Sequence, residues 1–482
     1  MRLLLVLGLV GRLLRLFSAA FVPPLVLSLV DGDSRAFTHF AIGAVASFAA
    51  GALAARGFSP TPVFQRSEAL SVVALTWLSI AVFSAVPLAL AGLSLVDAFF
   101  EAMSGLTTTG ATILLDFSGY GRSFFLWRAM MQWFGGLGVI ALFVVVLPSL
   151  GIAGRQLFFA EASAAPSEAI TTHIRNQAGR LWLLYAGMTA LLSALLMTAG
   201  MDLYDAVVHA LTTVSAGGFS PNGRSIAGYE NPAVEWILIP FMLLAGTSYT
   251  LQYLAATGRP GSLLRDGEFR FYALQALAVT LLLTWVLADG QMDSSHLRAA
   301  AFQATSVISS TGYASTDYNL WPDQARAALL LLMVTGGCAG SAAGGPKAIR
   351  LLLVLKRVLR EITRVLHPRA VLPIRHGHKP VSDEIVRAVF NLVVLYAALH
   401  FLFGVMLVLL GADLVTGMSA AIACLGNIGP GFGPAGPMGS FAGFSDASKL
   451  LLSFAMWIGR LEIVTVLALF HRDVWRNMRL RA

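Results

Sequence analysis

The chain is a succession of long apolar runs separated by short polar stretches, and this pattern predicts helices that cross a lipid bilayer. Predicted spans lie near 3–29, 38–55, 68–92, 124–148, 180–200, 233–256, 270–289, 325–355, 384–410 and 447–471. Each has about the 20 residues that cross a hydrocarbon core of about 30 Å. An even number of spans puts both termini on one side. Four further segments, 94–123, 202–225, 294–318 and 412–444, lie between spans and are too short to cross. Each opens with a modest apolar stretch and closes in a Gly/Thr/Ser cluster. An apolar stretch of roughly 10–14 residues reads as a re-entrant helix that enters and leaves by the same face.

The first run, MRLLLVLGLVGRLLRLFSAAF, resembles a secretory signal. Arg12 and Arg15 interrupt it and no clear cleavage site follows, so it reads as a retained helix.

Composition supports the membrane reading. Of 482 residues, 57% are hydrophobic and 12% charged, with a formal charge of +8. A soluble fold has no place for that much apolar surface. The positive charge does not imply nucleic acid, because roughly two dozen Lys and Arg gather on the side shared by the termini, as cytoplasmic loops do. Arg56, Arg66, Arg155, Arg259, Arg265, Lys356, Arg357, Arg360, Arg364 and Arg476 are among them. The re-entrant segments therefore enter from outside. Cys338 and Cys424 fall in predicted membrane segments and form no disulfide or metal pattern.

The four short segments align on one glycine each: Gly110 in DAFFEAMSGLTTTGAT, Gly218 in DAVVHALTTVSAGGFS, Gly312 in AAAFQATSVISSTGYAS and Gly429 in SAAIACLGNIGPGFG. Eight residues before each glycine stands an alanine: Ala102, Ala210, Ala304 and Ala421. Asp97 and Asp205 precede the first two glycines by thirteen residues and are predicted caps of short helices. Each repeat holds two spans, so all four share one orientation around an axis normal to the membrane. The expected architecture is an all-α polytopic membrane protein. It has an N-terminal helix pair (1–60) and four helix–pore-loop–helix units (61–155, 156–262, 263–370, 371–482) in pseudo-fourfold arrangement.

Such an arrangement suits a cation. An ion leaving water loses solvation worth tens of kcal/mol in the Born limit, and backbone carbonyls replace it where glycine permits the required backbone angles. The C-terminal ends of the short helices add partial negative charge. The candidate ligands are the glycines with the two residues before each: Thr108, Thr109 and Gly110; Ala216, Gly217 and Gly218; Ser310, Thr311 and Gly312; Asn427, Ile428 and Gly429. They share no side chain beyond glycine, which leaves coordination to carbonyls. The plainer alternative is four surface turns.

The second span of the third unit contains TGGCAGSAAGGPKAIR, which cannot be a straight helix. Gly336, Gly337, Gly340, Ser341, Gly344, Gly345 and Lys347 are candidate residues of an intramembrane gate. Small-residue helix packing is the alternative. Arg460 lies inside the last span. It is either a charge barrier beside the ion path or a structural partner of Glu462 or of carbonyls. His367, His376 and His378 lie in a basic cytoplasmic segment that reads as a docking face, their spacing matching no metal site. Glu101 and His209 occupy equivalent positions on two short helices, where packing or capping explains them better than acid–base chemistry. No paired carboxylates, HExxH or Ser/His pair point to an enzyme.

At DAFFEAMSGLTTTGAT, QWFGGLGVI, GIAGRQLFFAE, HALTTVSAGGFSP, LLRDGEFRFY, SSTGYAS, GGCAGSAAGGPKAIR, REITRVLHPRAVLPIRHGHKPVSDEIV, ACLGNIGPGFG and GRLEI, the chain resembles the Trk/Ktr/HKT potassium-transporter superfamily, in its TrkH branch. The resemblance covers essentially the whole chain. It implies a homodimer in the bacterial inner membrane with both termini cytoplasmic. It further implies K⁺ as the transported ion, no organic cofactor, and a TrkA-like nucleotide-binding regulatory subunit. The family's filter glycines match Gly110, Gly218, Gly312 and Gly429, its gating loop matches 336–345, and its pore arginine matches Arg460. A Na⁺-permeable or cation-coupled symporter of the same superfamily is the alternative within transport. Two departures stand out: Ala342 and Pro346 replace an expected threonine and aliphatic residue, and Ala216-Gly217 precede the second filter glycine.

Overall fold

A computed structural model describes residues 2–56, 66–141, 170–288, 293–377 and 379–472. The end of the fourth predicted span (142–148), the motif GIAGRQLFFAE, the proposed unit boundaries at 60/61 and 155/156, His378 and Arg476 lie outside the described residues.

The elements follow the repeat. An N-terminal pair comes first, Leu3–Phe17 continued by Val22–Val30, then Ser34–Ala55. The two arms pack closely because neither contact position carries a side chain. A Cβ added to Gly11 would lie 2.7 Å from the Gly51 carbonyl oxygen, and one added to Gly51 would lie 2.6 Å from that of Gly11. Four triplets follow, each an opening long helix, a short re-entrant helix and a closing helix: Arg66–Leu90, Leu95–Leu106 and Arg122–Ala141; Ile170–Thr198, Leu203–Val214 and Pro232–Ala245; Gly267–Ala288, Ser294–Ile308 and Asp323–Met333; Asp383–Leu409, Leu414–Leu425 and Asp446–Arg460.

Among the described residues six helices are long and apolar enough to cross a membrane. Two predicted spans are sharply bent helix pairs. Pro232–Ala245 and Tyr249–Ala256 meet at 112°, and Asp446–Arg460 and Ile463–Leu469 meet at 115°. The third repeat breaks more widely, between Met333 and Ala348, where the glycine-rich sequence makes a helix costly. The bend after Arg460 has a local cause too: Glu462 adopts φ +66°, a conformation no α-helix continues through.

The short helices begin one turn earlier than the aspartates suggest. Ser94, Asp202, Asp293 and Asp413 are the caps, accepting from the backbone N–H of Asp97 (3.1 Å), Asp205 (2.8 Å), Ser294 (2.6 Å) and Thr416 (3.0 Å). Asp97 and Asp205 are thus third helical residues rather than caps. A cap needs extended backbone, and Ser94 and Asp202 have it (ψ 158° and 164°). The repeated alanines Ala102, Ala210, Ala304 and Ala421 are all fully buried.

Candidate ion pathway

Each short helix ends in the same hydrogen-bonded turn. The N–H of Thr109, Gly217, Thr311 and Ile428 donates to the carbonyl five residues earlier, that of Ser104 (2.8 Å), Thr212 (2.8 Å), Ser306 (2.9 Å) and Ala423 (2.8 Å) respectively. Thr108, Ala216, Ser310 and Asn427 donate to Gly105, Thr213, Val307 and Cys424. This is a Schellman turn in all four copies. Its left-handed position usually takes glycine, yet here it holds Thr108 (φ +52°), Ala216 (+55°), Ser310 (+54°) and Asn427 (+51°). Each costs roughly 1–2 kcal/mol. Two residues on, Gly110 (+84°), Gly218 (+75°), Gly312 (+78°) and Gly429 (+100°) are left-handed again. Strain repeated four times at one level persists only because its surroundings hold it.

The four turns close into a ring. A Cβ on Gly110 would lie 2.3 Å from the carbonyl oxygen of Gly217. One on Gly218 would lie 1.8 Å from that of Thr311, and one on Gly312 would lie 2.0 Å from that of Ile428. One on Gly429 would lie 2.6 Å from that of Thr109. Each glycine thus touches the carbonyl just before the next repeat's glycine, and the fourth touches the first. The twelve sequence-derived candidates are therefore gathered at one place, and surface turns are excluded because all but Gly110, Gly218 and Gly312 are buried. Above the ring lies a recess of about 130 Å³, lined in part by Gly110, Gly218, Gly312 and Pro430.

The segment between Met333 and Ala348 runs under this ring. A Cβ on Gly344 would lie 2.1 Å from the Gly426 carbonyl oxygen. Gly344 N–H donates to Ser310 Oγ at 2.6 Å. Cys338 and Ala342 donate to the carbonyls of Gly246 and Ala245, where the second repeat's long helix ends. Gly336, Gly340, Gly345 and Lys347 all take positive φ, and Ser341 Oγ closes a local turn on Cys338 O at 2.6 Å. Gly337 accepts from Ala348 N–H. Lys347 Nζ donates to the Ala343 carbonyl. Arg460, buried, donates to the Ala342 carbonyl at 2.6 Å and reaches Gly135 O at 3.4 Å. Glu462 is not its partner: it takes Arg350 at 2.8 and 3.0 Å.

Glu101 and His209 have structural partners. Glu101 accepts from Arg128 Nε at 2.8 Å and from Ile113 N–H at 3.0 Å, and Arg128 also donates to Ser220 O, joining the first two repeats. His209 donates through Nδ1 to Asp205 O and accepts at Nε2 from Ser220 Oγ. The sequence reading missed Gln132, Glu268 and the Arg350–Glu462 pair. Glu268 Oε1 accepts from Ala339 N–H at 2.7 Å and Ile349 N–H at 3.1 Å, fastening the loop at two points. Polar residues inside apolar runs were the available signal.

Outside the membrane, Asp116 has its pKa lowered by hydrogen bonds from the Ser118 backbone and hydroxyl, and Asp413 by those from Thr416.

Four pseudo-equivalent half-helices that turn back at a shared ring of backbone carbonyls define a multi-pass membrane protein of the pore-loop class. The chain belongs to the TrkH family: the family model described as "Cation transport protein" matches residues 36–476. The Trk system potassium uptake protein TrkH of Halomonas elongata is 35% identical, with 99% of this chain and 100% of that one covered. The Trk system potassium uptake protein TrkG of Escherichia coli is 34% identical, with 97% of each covered. The crystal structure of the potassium transporter TrkH from Vibrio parahaemolyticus matches with a TM-score of 0.90 at 31% identity, covering 99% of this chain and 100% of that chain.

Proposed function

We propose that this chain takes up K⁺ across the bacterial inner membrane, with both termini cytoplasmic and the ring of Thr109, Gly217, Thr311 and Ile428 carbonyls as its selectivity filter. The observation that carries this reading is the closed circuit in which each repeat's glycine meets the next repeat's carbonyl. The relatives' own names, potassium uptake proteins, support the choice of ion.

A hydrated cation enters the outer recess and exchanges water for peptide oxygens. The flanking residues (Thr108 and Gly110, Ala216 and Gly218, Ser310 and Gly312, Asn427 and Gly429) extend the lining above and below. Four half-helix C-terminal ends add their partial negative charge. An interior-negative potential then contributes about 2.3 kcal/mol per charge for each 100 mV. Below the ring, the segment carrying Gly336, Gly337, Gly340, Ser341, Gly344, Gly345 and Lys347 obstructs the path and acts as the gate. Arg460 latches it in the closed position. The protein works as a homodimer, with a TrkA-like nucleotide-binding regulator docked on the basic cytoplasmic segments.

The test is growth of a potassium-uptake-deficient bacterium at low external K⁺, with and without the co-expressed regulator. Rescue is expected. Well-expressed protein that rescues under neither condition contradicts the proposal.

A further inference from the structure

Gln132 is fully buried on the helix Arg122–Ala141 of the first repeat, yet its carboxamide acts on the second repeat. Its Oε1 accepts from Phe219 N–H at 3.1 Å, and its Nε2 donates to the Gly217 carbonyl at 2.6 Å. The assignment of the two amide ends is unambiguous, because only an oxygen can face the Phe219 N–H. The contact is also tight: a Cβ on Gly217 would lie 2.4 Å from the Gln132 carboxamide carbon. This accounts for glycine at a position where the other three repeats carry Thr109, Thr311 and Ile428.

No other member of the ring is treated this way. Among the described residues the Thr109, Thr311 and Ile428 carbonyls accept no hydrogen bond, whereas Gly217 O does. The same oxygen sits against Gly110 at the first contact of the circuit. Gly217 has no side chain to anchor it, and its neighbours Ala216 and Gly218 offer no polar side chain either. Thr109 and Thr311 are tied by hydroxyl bonds to Thr107 (2.7 Å) and Ser309 (2.8 Å). The second segment therefore borrows its anchor from the first repeat.

We propose that Gln132 is a specificity-determining positioning residue that fixes the Gly217 carbonyl and so keeps the ring from contracting around the smaller Na⁺. The proposal rests on the reading of this ring as the filter and adds a residue outside it. A carbonyl has two lone pairs, so donation from Gln132 leaves one for the ion. A glycine peptide released from the clamp samples many orientations, and an adaptable ring accommodates either cation.

The test measures the K⁺/Na⁺ permeability ratio from reversal potentials in proteoliposomes, for wild type, Gln132→Met, Gln132→Glu and Gly429→Ala. Methionine keeps the bulk beside Gly217 and removes both hydrogen bonds. Glutamate keeps the acceptor for Phe219 and removes the donor. Both are expected to lower the ratio about fivefold, the worth of one buried hydrogen bond. A purely structural role would change the yield of folded protein, followed by size-exclusion chromatography, and leave the ratio of the surviving protein alone. An unchanged or raised ratio in whichever Gln132 variant folds overturns the proposal. If Gly429→Ala alters the ratio while the Gln132 variants do not, the clamp fails and the filter stands. If none alters it, the filter reading itself fails.

Discussion

Arg460 in the last repeat and Ala342 in the loop of the third are joined by a 2.6 Å hydrogen bond from Nη1 to the backbone carbonyl. Nη2 reaches Gly135 O in the first repeat at 3.4 Å, so one guanidinium links three repeats beneath the ring. Sequence offered a charge barrier or a structural partnership with Glu462 or carbonyls, and the partnership formed is with carbonyls, Glu462 being taken by Arg350. The positive charge still lies next to the inferred path, and the two roles are compatible.

Arg460→Gln is expected to raise uptake of ⁸⁶Rb⁺ in proteoliposomes. A hydrogen bond from a charged donor is worth about 1.5–3 kcal/mol, or roughly tenfold to hundredfold in the open fraction of a two-state loop. Flux equal to wild type at equal protein density would refute the latch.

Deleting 337–343 is expected to raise flux as well, because it removes the segment that lies under the ring. The smaller change Glu268→Ala should act in the same direction by freeing Ala339 and Ile349 N–H together. If the deletion leaves flux unaltered, the loop is not a gate.

Arg350 and Glu462 form a bidentate pair with little solvent contact, their side chains 5% and 12% exposed. Removing one partner of such a pair costs roughly 3–5 kcal/mol, because the other charge stays buried. Arg350→Met is therefore expected to lower the melting temperature in detergent. The double variant Arg350→Met/Glu462→Leu should recover most of the loss. Equal melting temperatures for wild type and the single variant would show the pair to be idle.

Gly218→Ala places a methyl group 1.8 Å from the Thr311 carbonyl oxygen in a left-handed conformation. Such a residue must displace the ring, and the expected result is a lower K⁺/Na⁺ permeability ratio in the protein that folds. A ratio unchanged from wild type would remove Gly218 from the filter.

What the sequence made legible was local. The repeat glycines and the broken third repeat depend on residues close together in the chain, where backbone sterics decide. The caps were misplaced by one turn because Ser94 and Asp97, like Asp202 and Asp205, both carry capping side chains, and only the backbone angle separates them. The bends after Ala245 and Arg460 had no proline or glycine cluster of comparable strength to announce them. Gln132 was illegible for another reason: its partner lies 85 residues away in a different repeat, and pairing at that range follows from packing, not pattern.

The central claim is that four backbone segments from distant parts of one polypeptide jointly replace the water around a potassium ion. Anomalous diffraction from crystals soaked in Rb⁺ measures this directly. The account predicts a peak on the axis within coordinating distance of the Thr109, Gly217, Thr311 and Ile428 oxygens. A well-ordered filter with no peak there, or Rb⁺ bound only elsewhere, would contradict it.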